Sequence, residues 1–347
     1  MAFELRDLIG SDAPAGTRVY GITADSRQVT TGFAFFAIAG AKADGAKFTS
    51  DAVARGASVV IGDRERPAEL PASIPYVRVS DIRRVLALAA AKVFPRQPAT
   101  MVAVTGTNGK TSVASFVRQI WAVVGEQAAS VGTIGLVTPS GEVAGNLTTP
   151  DSVSLHELLD RLAEAGVTHM AMEASSHGLD QRRLDGVRLA AGAFTNLTRD
   201  HLDYHKTLDD YRAAKMRLFD TLLSSGAAAV ADADEEDAKH VEEIAKQRGL
   251  RYFSVGRAGE NIQLVDAKID SFAQRLELLA DGKKHSIKLP LVGAFQVSNA
   301  LVAAGLAIAT GSDATKVLAA LENLKGASGR LELAGEKNGA PIFVDYA

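Results

Sequence analysis

The sequence predicts an α/β protein: a small N-terminal α/β domain, then a larger domain whose mostly parallel sheet is covered by helices and carries a small antiparallel extension. From Met101 onward, apolar strand-like runs alternate with amphipathic helical stretches, the pattern of a parallel sheet flanked by helices. Residues 102–116, "VAVTGTNGKTSVASF", set a glycine-rich turn between a strand-like run and a run of helical spacing. Two prolines and polar residues in "FPRQPAT", residues 94–100, break the pattern just before that turn and mark a boundary.

Within residues 1–98, "RVYGITADSR" and "FAFFAIAG" read as short strands, and "DAVARGASVVIGD" as a helix followed by a strand. Beyond the boundary, strands are expected at Met101–Val104, His169–Met172, Gly192–Phe194 and Ala227–Val230. Residues 262–290 alternate over shorter runs, "LVDAKID", "AQRLELLA" and "HSIKLPL", and form the antiparallel extension; "FQVSNALVAAGLAIATG" returns to helix. The last run, "APIFVDYA", is an apolar strand with nothing after it. A first domain is therefore expected at 1–98, and the abrupt end suggests a truncated chain.

A chain of 347 residues suits two or three domains. With 47% hydrophobic and 23% charged residues and a net charge of −3, it has the composition of a globular protein without broad attraction to nucleic acid, so small-molecule partners are expected. The absence of cysteine excludes disulfides, thiolate metal sites and a cysteine nucleophile. "MAFELRDLIG" has no basic segment leading into a long apolar core, and no run approaches the ~20 apolar residues of a membrane span. A cytoplasmic monomer that binds no membrane is the expectation.

The glycine-rich turn departs from the strict phosphate-loop pattern G-x-x-x-x-G-K-[ST], because the first glycine falls on Val104. Gly106, Gly109, Lys110 and Thr111 nevertheless keep the physical essentials: free backbone N–H groups, a lysine for phosphates and a hydroxyl for Mg²⁺. An ordinary glycine turn capping a helix is the alternative. In "HMAMEASSHGLDQRRLDG", residues 169–186, Glu173 follows an apolar strand, where a carboxylate either holds Mg²⁺ or is simply solvated. The hydroxyls, amide and guanidiniums after it suit an anionic or sugar-like substrate, or a plain helix cap. In residues 194–219, His201 and His205 lie four apart around Asp203, which puts both imidazoles on one helical face for a metal or at a solvated helix start. The apolar neighbours of Lys215 suggest partial burial, although a lone helix lysine is usually a surface charge.

Taken together, "TADSRQV", "GAKADGAKF", "TGTNGKTS", "NLTTPDS", "MEASSHGLDQRR", "NLTRDHLDYH" and "VDYA" resemble the Mur ligase family, the ATP-dependent amide-forming enzymes of peptidoglycan precursor assembly, over essentially the whole chain. That family's loop usually lacks the early glycine, which accounts for Val104. Within the family the resemblance is to the member that adds the third peptide residue. It implies a UDP-substrate-binding domain at 1–98, a P-loop ATPase domain at 99–334 and, at 335–347, the first strand of a truncated third domain. It further implies that Ser26 and Lys42 face the uridine nucleotide, and that Thr148, Thr149, Ser175, Gln181 and Arg183 hold the muramoyl peptide. Gly106, Thr107, Asn108, Gly109, Lys110, Thr111 and Ser112 would cradle the ATP phosphates, with Asn299 at the adenine and Arg330 and Asp345 at the ribose. Thr111, Glu173, His201 and Lys215 would ligate or support Mg²⁺, Lys215 as a carbamate, which turns a cation into an anionic oxygen ligand. Catalysis would rest on Lys110, Glu173, His201 and Lys215.

The substrates so implied are UDP-N-acetylmuramoyl-L-Ala-D-Glu and a diamino acid, expected to be diaminopimelate, joined through an acyl phosphate. The family's third domain binds the incoming amino acid, so a chain ending at Ala347 is expected not to complete the ligation. A folylpolyglutamate synthase, or a nucleotide-binding protein without ligase activity, are the rivals. "DSR" and "TTPDS" speak against the folate enzyme.

Overall fold

The computed structural model describes residues 2–40, 44–144, 148–200, 203–337 and 340–345. Two compact units share them: Met1–Gln97 with Pro150–Arg161 and Gln181–Val187, and Pro98–Thr149 with Leu162–Asp180 and Arg188–Ala347.

The first unit is built on a four-stranded parallel sheet in the order Gly21–Thr23, Phe33–Phe36, Val59–Gly62, Tyr76–Arg78. Alternate side chains leave opposite faces of a strand, so Ala34, Phe36, Val59 and Ile61 enter one core while Phe35 and Val60 enter another. Burial on both faces is why "FAFF" and "VVIG" are continuous apolar runs and not alternating ones. Helix Ile82–Val93 closes the first core with Leu86, Ala89 and Ala90, and starts where the Asp81 side chain accepts from the Arg84 N–H.

The second unit holds an 11-stranded sheet. Ala128–Gly132, His169–Glu173, Thr100–Thr105, Ala191–Phe194, Ala228–Asp232 and Arg251–Gly256 lie side by side in that order, all parallel. Strand Ile262–Asp270 pairs parallel at its start with Arg251–Gly256, then antiparallel with Ala273–Ala280, which pairs antiparallel with Lys283–Leu289. This is the extension the sequence predicts. At the opposite edge a second antiparallel piece, Gly135–Thr138 with Gly141–Val143, was not anticipated, because its strands are too short to show a period. Helix Ala294–Ala309 is apolar nearly all round because it lies in the core with Phe116, Ile120 and Trp121 of helix Lys110–Val123 and with the sheet.

Topology places the site. From Thr100–Thr105 the chain passes to Ala128–Gly132, two strands away, returns between them as His169–Glu173, then continues on the other side as Ala191–Phe194. Such a reversal opens a crevice at the carboxyl end of the first strand, which is where Gly106 begins. No helix among the described residues is long and apolar enough to cross a membrane.

Candidate active site

The turn after Thr100–Thr105 needs its glycines. Gly106 has φ +145° and Gly109 φ +85°; a Cβ on Gly106 would collide with the Thr195 hydroxyl, and one on Gly109 with the Asn299 side-chain oxygen. The segment after the neighbouring strand clamps the turn from outside. Thr195 Oγ1 donates to the Asn108 carbonyl (2.6 Å), and the Asn108 N–H donates to Asn196 Oδ1 (2.9 Å). Thr107 Oγ1 donates to the Thr198 carbonyl (3.2 Å) and accepts from the Thr198 N–H (2.9 Å). Replacing Gly106 by alanine combines strained backbone with that collision and is expected to cost about 3 kcal/mol in urea unfolding, with loss of nucleotide binding. Unchanged unfolding would show that the loop does not hold this geometry.

Two amines converge on the loop. Lys110 Nζ donates to the carbonyls of Gly106 (2.9 Å) and Thr107 (2.7 Å), and Lys215 Nζ donates to the same Gly106 carbonyl (2.6 Å). Lys215 is 1% exposed, deeper than the sequence suggests. Its Nζ sits 4.2 Å from the centre of the Tyr211 ring, which favours an ammonium, but burial and the charge of Lys110 outweigh this and bring it down to about 6. Burial also lowers Lys110, against the opposing pull of Glu173 and Asp200.

Glu173 ends its strand 2% exposed, and burial raises its carboxyl above the ordinary carboxylate range. The Thr133 N–H donates to its Oε1 (2.7 Å) and Thr133 Oγ1 to its Oε2 (3.2 Å). Thr149 is buried with its hydroxyl spent, donating to the Glu173 carbonyl (2.9 Å) and accepting from the Ser175 N–H (3.1 Å). It shapes the site and presents no free group. Thr148 Oγ1 lies 3.1 Å from Thr133 Oγ1.

These groups line one cavity of ≈ 780 Å³, within the range of small-molecule sites. Asn108, Gly109, Lys110, Thr111 and Ser112 line it together with Thr148, Glu173, Ser175 and Lys215. Asn299, Arg330 and Asp345 complete it, together with Asp200 and Asn196, which the sequence reading did not single out. Asn299 is buried and donates to Gln296 Oε1 (3.1 Å).

Ser26, Gln181 and Arg183 belong to the first unit. Ser26 is buried at the start of a turn of 3₁₀ helix, Ser26–Gln28, and Arg183 Nη2 donates to Gln181 Oε1 (2.8 Å). Lys42 and His201 lie outside the described residues. The shared helical face expected for His205 does not exist: residues 203–207 form turns, and the helix starts only at Leu208, capped by Thr207, whose Oγ1 accepts from the Asp210 N–H. The His205 ring instead packs against Tyr204 and Tyr211. Among the described residues no group of three or more His, Cys, Asp or Glu could hold a metal by itself.

Comparisons with known proteins identify the family. A model of the Mur ligase middle domain matches residues 104–307, and one of the Mur ligase family, catalytic domain, matches residues 18–94. The UDP-N-acetylmuramoyl-L-alanyl-D-glutamate–2,6-diaminopimelate ligase of Bradyrhizobium diazoefficiens is 56% identical over 99% of this chain and 72% of its own length. Its counterpart in Caulobacter vibrioides is 49% identical over 100% of this chain and 72% of its own. A solved structure of a ligase of that name aligns at TM-score 0.84 and 28% identity, covering 97% of this chain and 70% of that one. A folylpolyglutamate synthase solved with AMPPCP and folate shares the fold at TM-score 0.59 and 16% identity, covering 76% of this chain and 71% of that one.

Proposed function

The chain belongs to the Mur ligase family, and from that membership we propose that it acts in the ATP-dependent joining of 2,6-diaminopimelate to UDP-N-acetylmuramoyl-L-alanyl-D-glutamate, activating the D-glutamate carboxylate as an acyl phosphate. The observation that carries this reading is the convergence of Lys110, Glu173 and Lys215 on one cavity at the switch point of a parallel sheet. Residues 1–98 take the UDP-substrate and residues 99–334 take ATP, and the reaction is cytoplasmic.

The protein's own part is alignment and charge. The N-terminus of helix Lys110–Val123 favours phosphate oxygens. Lys110 exchanges its two carbonyl partners for the β- and γ-phosphates. Asn299 meets the adenine, Arg330 and Asp345 the ribose. Thr148 and Ser175 hold the muramoyl peptide, as do Gln181 and Arg183, while Ser26 and Lys42 face the uridine nucleotide. The donors present suit Mg²⁺: a carboxylate as buried as Glu173 calls for a cation, and with the Thr111 hydroxyl it offers the hard oxygens that ion takes. His201 supports the same ion. When bound, Mg²⁺ neutralises charge on the transferring phosphoryl group.

Lys215 completes that donor set as a carbamate. Carbamate formation needs a neutral amine, which attacks CO₂ and releases a proton; an amine held at about 6 is roughly nine-tenths neutral at pH 7. Neutral Lys215 therefore supports the modification where an ordinary surface lysine would resist it. The reading is tested by ADP formation from Mg-ATP with and without the UDP-muramoyl dipeptide. Dipeptide-dependent ADP is expected; binding of both ligands without ADP would favour a protein that holds nucleotide and makes no bond.

A further inference from the structure

One residue outside every role assigned above grips both oxygens of Glu173. The backbone N–H of Thr133 takes Oε1 and its hydroxyl takes Oε2, and the turn is shaped to the carboxylate, since a Cβ on the preceding Gly132 would collide with Glu173 Oε1. The same hydroxyl lies 3.1 Å from Thr148 Oγ1. A hydroxyl has one proton. With that of Thr133 given to Glu173, the proton between the two threonines comes from Thr148, so Thr148 is left with acceptor capacity only.

Resting on the proposed function, we infer that Thr133 is a positioning residue that fixes the Glu173 carboxylate for Mg²⁺ and, through Thr148, makes the acceptor side of the cavity select a hydrogen-bond donor of the substrate. The phosphate side and the peptide side are thus tied by a single side chain. Removing a partner that orients a metal-binding carboxylate typically costs 10–100-fold in metal affinity.

The test is calorimetric nucleotide binding as a function of Mg²⁺. Thr133→Val keeps the backbone N–H and the side-chain shape but deletes the hydroxyl. It is expected to raise the Mg²⁺ concentration for half-maximal effect by about 10-fold, leave metal-free nucleotide affinity unchanged, and weaken dipeptide binding; Thr133→Ala should repeat the shift and Thr133→Ser should abolish it. Wild-type Mg²⁺ dependence in both hydroxyl-less variants would overturn the inference. Glu173→Gln separates the two levels. If it loses Mg²⁺ dependence while Thr133→Val behaves as wild type, only the role of Thr133 falls; if it retains Mg²⁺ dependence, the assignment of Glu173 falls, and the role of Thr133 with it.

Discussion

Replacing Lys215 by alanine is expected to lower dipeptide-dependent ADP formation by about 10²–10³-fold, the scale of losing one charged group aimed at the transferring phosphoryl. Two features of the loss identify its cause. A small carboxylate such as acetate, entering the space left by the side chain, should restore part of the rate, because it returns the anionic oxygen that the carbamate supplies. In the wild-type protein, ¹³C-labelled bicarbonate should give a carbamate carbon resonance that is absent from Lys215→Ala. Wild-type activity in the alanine variant would remove Lys215 from the site's chemistry; loss of activity with no carbamate signal and no rescue would leave it a buried packing residue against Tyr211.

Lys110→Met should be as damaging and differ in kind. Methionine preserves the unbranched stem but cannot reach phosphate oxygens, so ADP formation should fall by about 10³-fold and Mg-ATP should no longer raise the thermal midpoint. The fold should survive: the amine is already depressed by burial, and its partners are loop carbonyls. The charge of Lys110 also helps to depress Lys215, so the variant should raise the Lys215 ammonium pKa and reduce carbamate at a given CO₂ level. Retained nucleotide-dependent stabilisation in Lys110→Met would contradict the phosphate-loop assignment.

What could be read in the sequence was what sequence neighbours decide. The change from an apolar strand to Gly-x-x-Gly-Lys-Thr to helical spacing is local, so the loop, its lysine and its hydroxyl were visible at once. Glu173 was visible for a related reason, since it ends an apolar strand of a parallel sheet. The clamp at Thr195, Asn196 and Thr198 was not, because its function depends on strand Ala191–Phe194 pairing beside Thr100–Thr105 from about ninety residues away. A signal was present: these polar residues follow an apolar strand just as Glu173 does. The start of the helix at Leu208 was also legible in principle. Thr207 with Asp210 three residues later is a capping pattern, and it argues against extending helical spacing back to His205. The depth of Lys215 is a tertiary fact, set by Tyr211 and the Gly106 carbonyl and not by its immediate neighbours. Likewise, residues 150–161 and 181–187 pack with the first unit although the chain has already passed the phosphate loop, an arrangement no local pattern encodes.

If this loop hands a phosphoryl group to the D-glutamate carboxylate, an oxygen of that carboxylate leaves with the phosphate, and isotope transfer detects it. UDP-muramoyl dipeptide labelled with ¹⁸O in that carboxylate is incubated with the protein, Mg-ATP and hydroxylamine, and the inorganic phosphate is analysed. Hydroxylamine attacks the acyl carbon and phosphate departs with the bridging oxygen, so one ¹⁸O per phosphate and an equal yield of hydroxamate are predicted. Unlabelled phosphate, formed at the same rate with or without dipeptide, would show that the site hydrolyses ATP without activating the carboxylate.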